Sequence, residues 1–165
     1  MADPGLVAEA IRETLVRMPL LASYADEQRD LQPHVQRVLE ESFEKSFPAA
    51  NLQTIISVGG TDKPRLTLLG TRFWPDIEIR AGTTAVAAIE VKLIRDGHPA
   101  SKAIAEAIGQ SLIYSIRHPR VFTFVVHYGR SNYRYHDDDA ELTKRLSHLN
   151  VELILRTAKD GVASY

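Results

Sequence analysis

The chain contains no cysteine, which excludes disulfides and every thiolate metal site and fits a reducing compartment. It lacks any apolar run approaching the ~20 residues that cross a bilayer. Its opening stretch, MADPGLVAEAIRE, carries Asp3, Glu9 and Glu13, where a secretory signal needs a basic start and an apolar segment. The expected location is therefore cytoplasmic, with no membrane partner. A large charge of either sign is also missing. A net charge of −1 and a pI near 6.6 exclude a protein that coats nucleic acid through bulk charge, but a local basic patch can still steer one. Internal repeats, low-complexity tracts, a glycine-rich phosphate loop, a GxSxG elbow and zinc-ligand spacing are all absent. The length of 165 residues suits one domain.

What is present is an ordered change of period. Residues 4–17 place Leu6, Val7, Ile11, Leu15 and Val16 at helical spacing, with Asp3 before Pro4 as the start signal. Residues 31–47 trace a second stripe through Leu31, Val35, Val38, Leu39, Phe43 and Phe47, ended by Pro48. From 52 the pattern turns extended. LQTIISV reads as a strand, GGTDKP as a turn and RLTLLG as a further strand or edge segment. FWPDIEIR, the short AGTT loop and AVAAIEVKLI read as a hairpin. A helix over 99–117, an apolar strand at 121–128, a helix near 138–148 and a last strand, VELILRT, complete the order. Val121–Val126 is apolar almost throughout, as expected of an internal strand covered on both faces. The expected class is α/β, a central mixed sheet flanked by helices.

Chemistry concentrates in the hairpin. Side chains alternate along a strand, so Glu90 and Lys92 share one face while Ile89, Val91 and Leu93 take the other. Antiparallel pairing brings Asp76, near the start of the first strand, to Glu90 and Lys92 near the end of the second. Two carboxylates and an ammonium suit a hard divalent cation such as Mg²⁺, with Mn²⁺ able to substitute. Such an ion polarises a phosphate and acidifies a water. The lysine orients that water or stabilises transition-state charge, and burial beside a metal, depressing its pKa, would make it a base. The bland alternative is a surface ion pair of little energetic weight, but an idle charged pair inside AVAAIEVKLI would be costly.

Pro75-Asp76 and Glu90-Val91-Lys92, in this strand–hairpin–strand–helix context, resemble the PD-(D/E)XK nuclease superfamily. The resemblance covers about residues 27–157 and implies a restriction-endonuclease-like fold with an αβββαβ core, preceded by a helical extension over 1–24. It implies a catalytic centre of Asp76, Glu90 and Lys92, with the Val91 carbonyl as a further metal ligand. Gln110 and Tyr114, four apart on the next helix, match the QxxxY pair that follows the ExK strand in several such nucleases. There they orient the lysine or touch phosphate; alternatively Tyr114 is a half-buried core residue. Many members add a glutamate from the first core helix. Glu41 flanks the apolar stripe on the side of His34, whereas Glu27 belongs to an alternative alignment in which DEQRDLQPHVQRVL resembles an ExxLQ-like helix opening.

The implied activity is Mg²⁺-dependent hydrolysis of DNA phosphodiesters, as in restriction, defence or mobile-element endonucleases, with RNA as an alternative substrate. The segment Lys92–Arg134 holds seven basic and two acidic residues. Close in sequence to the site strands or their ends, Arg72, Arg95, His98, Lys102 and Arg130 are candidate phosphate contacts. Trp74 is expected to pack beside Asp76, and Asp137–Asp139 to start a helix. No target-recognition domain is visible, so specificity would come from loops, a partner protein or a second copy. A homodimer is expected from the need to cut two strands, with helix 4–17 as candidate interface or as a helix docked on its own domain. The competing class is a nuclease-fold module without catalysis, used for nucleic-acid binding or assembly.

Overall fold

The computed structural model describes residues 3–56, 66–95, 97, 99–128 and 136–157. Helix α1 (Pro4–Arg17) begins where Asp3 caps the Gly5 amide at 2.7 Å, and it buries Val7, Ala8, Ile11 and Leu15. A single π-helical turn, Glu27–Leu31, runs directly into α2 (Gln32–Ser46). Two aspartates fix that turn. Asp26 accepts from the amides of Gln28 and Arg29, and Asp30 accepts from those of Ala25 and Asp26. Pro33 then lies in the first turn of α2, where its missing N–H costs nothing.

Strands β1 (Leu52–Ile56), β4 (Ile77–Ala81), β5 (Thr84–Ile94), β6 (Val121–His127) and β7 (Val151–Thr157) form one sheet in the order β1-β4-β5-β6-β7. β1, β4 and β5 pair antiparallel, and β5, β6 and β7 parallel. The sheet is thus mixed, as expected. β2 (Leu66–Leu68) and β3 (Thr71–Phe73) stand apart as a two-stranded ribbon. RLTLLG therefore contributes to a separate hairpin rather than to the main sheet. The reason lies in its turn: Leu69 and Gly70 both have positive φ (49° and 76°), the two-residue geometry that folds a chain straight back on itself.

The β4–β5 turn is tighter than AGTT suggested. Ala81 pairs with Thr84, leaving Gly82-Thr83 as the loop, with Gly82 at φ 62°. A bulge between Ile79 and Arg80 then resets the register, so Val86 and Ala87 both face the first core.

One face of the sheet carries α1 and α2, through Ile11, Leu15, Leu31, Val35, Leu39 and Phe43 against Ile77, Ile79, Ile89, Val91 and Phe124. The other carries α3 (Ala100–Tyr114) and α4 (Asp137–Ser147), through Tyr114, Ile108, Leu112 and Leu146 against Ala88, Val121 and Val151. α4 starts at Asp137 with a reciprocal cap between His136 and Asp139, as the acidic run predicted. β6, central in the parallel half, is buried along its whole length.

The N-terminal helix belongs to this core. Arg156, 3% exposed, donates to the carbonyls of Leu15 and Met18 at 3.0 and 3.1 Å, and Arg12 reaches Glu152. Of the two readings of this helix, α1 thus follows the docked one: its apolar stripe is covered by its own domain and does not serve as a dimer interface. No helix among the described residues is long and apolar enough to cross a membrane.

Candidate active site

The site follows from where β4 begins. Proline has no N–H for a sheet ladder, so the strand starts at Ile77, not at Trp74 as the sequence pattern suggested. β5, however, continues five residues past the Ile77–Ile89 pair, to Ile94. Residues 89, 91 and 93 direct their backbone groups toward the β4 side, since alternate residues of a strand do so. Beyond Ile89 that edge is open, and carboxylates occupy it. Asp76 Oδ2 accepts from the Val91 amide at 2.8 Å, and Glu27 Oε2 accepts from the Leu93 amide at 2.7 Å. The Val91 carbonyl lies on the same edge, and Pro75 has no hydrogen to offer it. The PD dipeptide thus has a physical role: proline ends the ladder and aspartate takes the freed amide.

Glu90 and Lys92 rise from the α3 face of β5. Glu90 is 3% exposed. Lys92 is half-buried, its Nζ 3.4 Å from Glu27 Oε1. The Tyr114 hydroxyl lies against Glu90 and donates to the Trp74 carbonyl at 2.8 Å. A hydroxyl has one proton, so a hydrogen bond between Tyr114 and Glu90 requires the carboxyl to donate.

Burial decides the protonation of Glu90, against Lys92 and Tyr114, which both favour the carboxylate. Burial, reinforced by Asp76 and Glu27, pushes Glu90 up to about 9. Burial also raises Asp76 to about 6, although the Val91 amide, Lys92 and Gln32 pull it down. Burial opposes the Lys92 ammonium, but Glu27, Glu90 and Asp76 outweigh it and hold its pKa above the ordinary lysine value. Lys92 is therefore a fixed cation in the metal-free protein. Without a metal, three neighbouring carboxyls decide the sign; a lysine depressed into a base is an expectation for the metal-bound state alone.

The hairpin and the π-helical turn bring together Asp76, Glu90, Val91, Lys92, Glu27 and Tyr114. They do not bring in Glu41, which is exposed beside Glu13, Thr14 and Arg17 on the α1 side of α2. Gln110 is half-buried one turn before Tyr114, with no side-chain hydrogen bond to the cluster. Arg95 stands at the rim, its Nη1 2.7 Å from the Ala25 carbonyl. Arg72 is exposed on the β2–β3 ribbon, and Lys102 is exposed and close to Glu106. Arg130 and His98 lie outside the described residues. Trp74, expected as a packing residue, leaves 42% of its surface exposed at the site's edge.

Several neighbours were not anticipated. Gln32, at the start of α2, sits beside Asp76. A cleft of about 640 Å³ lined by Ala25, Arg29, His34 and Arg37 borders the π-helical turn, adding guanidinium groups near the rim. On the far side of Tyr114, Glu78 is buried and bonded to His118 at 2.9 Å and to Arg80. Burial acts against the Glu78 carboxylate, but His118 and Arg80 hold its pKa below the ordinary glutamate value. The polar face of β4 is thus covered, by α3 and the segment after it.

Among the described residues, no three histidine, aspartate or glutamate side chains gather as an all-side-chain metal cage. Two carboxylates and a backbone carbonyl are on offer instead. Such a set of hard oxygens is too sparse for a structural zinc site and suited to Mg²⁺, which keeps most of its waters. The two glutamates considered for the helix separate cleanly: Glu27→Ala should weaken Mn²⁺ binding about tenfold and loosen Lys92, while Glu41→Ala leaves both unchanged. Calorimetric titration of each variant checks this, and equal loss in the two would remove Glu27 from the site.

No family model matches the chain, and no curated protein or solved structure matches it either.

Proposed function

We propose that the chain is a Mg²⁺-dependent nuclease of the PD-(D/E)XK type, with the restriction-endonuclease-like variant of its α/β fold, and that it hydrolyses DNA phosphodiesters. The observation that carries the reading is the convergence of Asp76, Glu90, Lys92 and the Val91 carbonyl at the one place where β5 outruns β4. A coincidental surface ion pair would be exposed. Here the carboxyls are buried enough to resist ionisation, which is a cost that a ligand can offset.

Asp76, Glu90 and the Val91 carbonyl would hold the cation. Bound Mg²⁺ supplies a Lewis acid that polarises the phosphate and acidifies a water. Lys92, fixed as a cation by Glu27, faces the charge that grows on the phosphoryl oxygens. Tyr114 holds the Glu90 carboxyl in place from the α3 side. Arg95, with Arg29 and Arg37 in the adjoining cleft, offers positive charge to neighbouring phosphates. The resemblance implies products with 5′-phosphate and 3′-hydroxyl ends. Two active sites for two strands would call for a pair of copies that meet elsewhere than α1.

The test is incubation of supercoiled plasmid and linear DNA with the protein in Mg²⁺ or Mn²⁺. Nicking or cutting that EDTA stops is expected. One observation favours a second reading, an assembly or binding module without catalysis: Asp76 and Glu27 are capped by backbone amides and Lys92 is ion-paired, so much of the cluster is satisfied without metal. Absence of both cleavage and calorimetric Mg²⁺ binding would establish that module instead. RNA offered beside the DNA substrates decides the sugar.

A further inference from the structure

The α2 side chain that begins the helix is out of keeping with its surroundings. Gln32 is 1% exposed, and neither its Oε1 nor its Nε2 has a hydrogen-bond partner. Folding ordinarily avoids burying both ends of a carboxamide unpaired, and each exception asks for an explanation. Packing does not supply one. Gln32 follows Leu31 and precedes the buried Val35 and Leu39, so leucine or methionine would fill the same space without a polar penalty.

Its position does explain it. The carboxamide lies beside Asp76 and, from beyond a full hydrogen-bond distance, still acts as a donor that helps draw that carboxyl's pKa down. Asp76 in turn feels the charges of Glu27 and Lys92. A desolvated donor that leans on Asp76 and a desolvated acceptor with nothing to accept thus stand against the carboxylate that the metal-dependent reading places on the cation. A hydrated divalent cation uses both. Its waters are donors only, so they need acceptors such as Oε1, and the carboxylate it binds is held in orientation by a donor such as Nε2–H. A neutral amide is the right group for this, because a further carboxylate would join three that already repel one another.

Resting on that metal-dependent reading, we propose that Gln32 is a positioning residue of the cation site. Its amide oxygen accepts from a water of the cation's hydration shell, and its amide N–H holds Asp76.

The experiment compares wild type with Gln32→Met and Gln32→Leu, two apolar replacements of similar volume. Thermal unfolding in EDTA and Mn²⁺ titration by calorimetry are both measured. In EDTA the variants should melt higher than wild type, by about 2–6 °C, because an unsatisfied buried amide has been removed. Their Mn²⁺ affinity should nevertheless fall about 10–100-fold, the usual loss for a residue behind a metal ligand. The Mn²⁺-dependent rise in melting temperature should shrink accordingly. A structural role predicts the opposite sign in EDTA, so variants that both melt lower overturn the proposal. Mn²⁺ affinity within twofold of wild type in both variants overturns it too, while leaving the nuclease reading intact. Wild type that takes up no Mn²⁺ removes the cation site itself, and this proposal with it.

Discussion

Replacement of Lys92 by alanine should lower plasmid cleavage by about 10³ while leaving Mn²⁺ binding as tight as in wild type, or tighter. The two effects separate because Lys92 stands beside the ligand set and is not one of its members. Its Nζ approaches Glu27, and its pKa is raised by Glu27, Glu90 and Asp76. A divalent cation entering that cluster is repelled by the ammonium, so removing the ammonium favours entry. The scissile phosphate gains negative charge in its transition state, and there the same ammonium is missed. Asp76→Ala behaves differently: it should lose both cleavage and metal, and it strands the Val91 amide. Lys92→Arg should not rescue, because a planar guanidinium does not replace a compact point charge in a half-buried position. Initial nicking rates on supercoiled DNA, read beside calorimetric Mn²⁺ titrations, check the pattern. A Lys92→Ala protein that cuts within tenfold of wild type takes the lysine out of the mechanism.

The parts of this centre that periodicity encodes were legible in the sequence, and those that depend on interruption or long-range packing were not. The alternation in AVAAIEVKLI placed Glu90 and Lys92 on one face and Ile89 and Val91 on the other, as the fold has them. The apolar run 121–126 gave the internal strand, and Asp3-Pro4 gave the start of α1. By contrast, the strand was read through Pro75, although a proline without an N–H ends the ladder and leaves the edge that Asp76 caps. Glu27 could not be ranked above Glu41 on helical geometry, because a helical wheel assumes 100° per residue. The π-helical turn Glu27–Leu31 has a different pitch, set by Asp26 and Asp30, and it aims Glu27 at the Leu93 amide. His118 lies 40 residues from Glu78, with no spacing rule to connect them. Only the return of the chain after α3, where His118 also bonds the Tyr114 carbonyl, closes that buried pair.

Glu90→Gln should abolish metal binding and yet stabilise the metal-free fold at alkaline pH. The Glu90 carboxyl is held up to about 9 by burial and by Asp76, against an ordinary value of 4.5. Between those two values the folded chain keeps a proton that the unfolded chain releases. The stability this contributes is complete below about 4.5 and drains away as pH rises toward 9. Asp76, raised from 3.8 to about 6 by burial, adds a smaller decline of the same sign over its own range. In EDTA the wild-type melting temperature should therefore fall steadily from pH 5 to pH 9. Glutamine removes the Glu90 part of that fall, since its amide is neutral throughout and still presents a donor to the Tyr114 oxygen. The gap should open with pH and reach about 5 kcal/mol at pH 8, or roughly 10–20 °C. Added Mn²⁺ should reverse the ranking. It binds the ionised carboxylates of wild type, releases protons as it does so, and binds more tightly as pH rises, whereas the variant keeps only Asp76 of the two proposed carboxylate ligands. Melting curves across pH 5–9, with EDTA and with Mn²⁺, contain both halves of the argument. If the two proteins trace parallel curves in EDTA, Glu90 is ionised in the fold without metal, and the buried carboxyl is not what readies this edge for a cation.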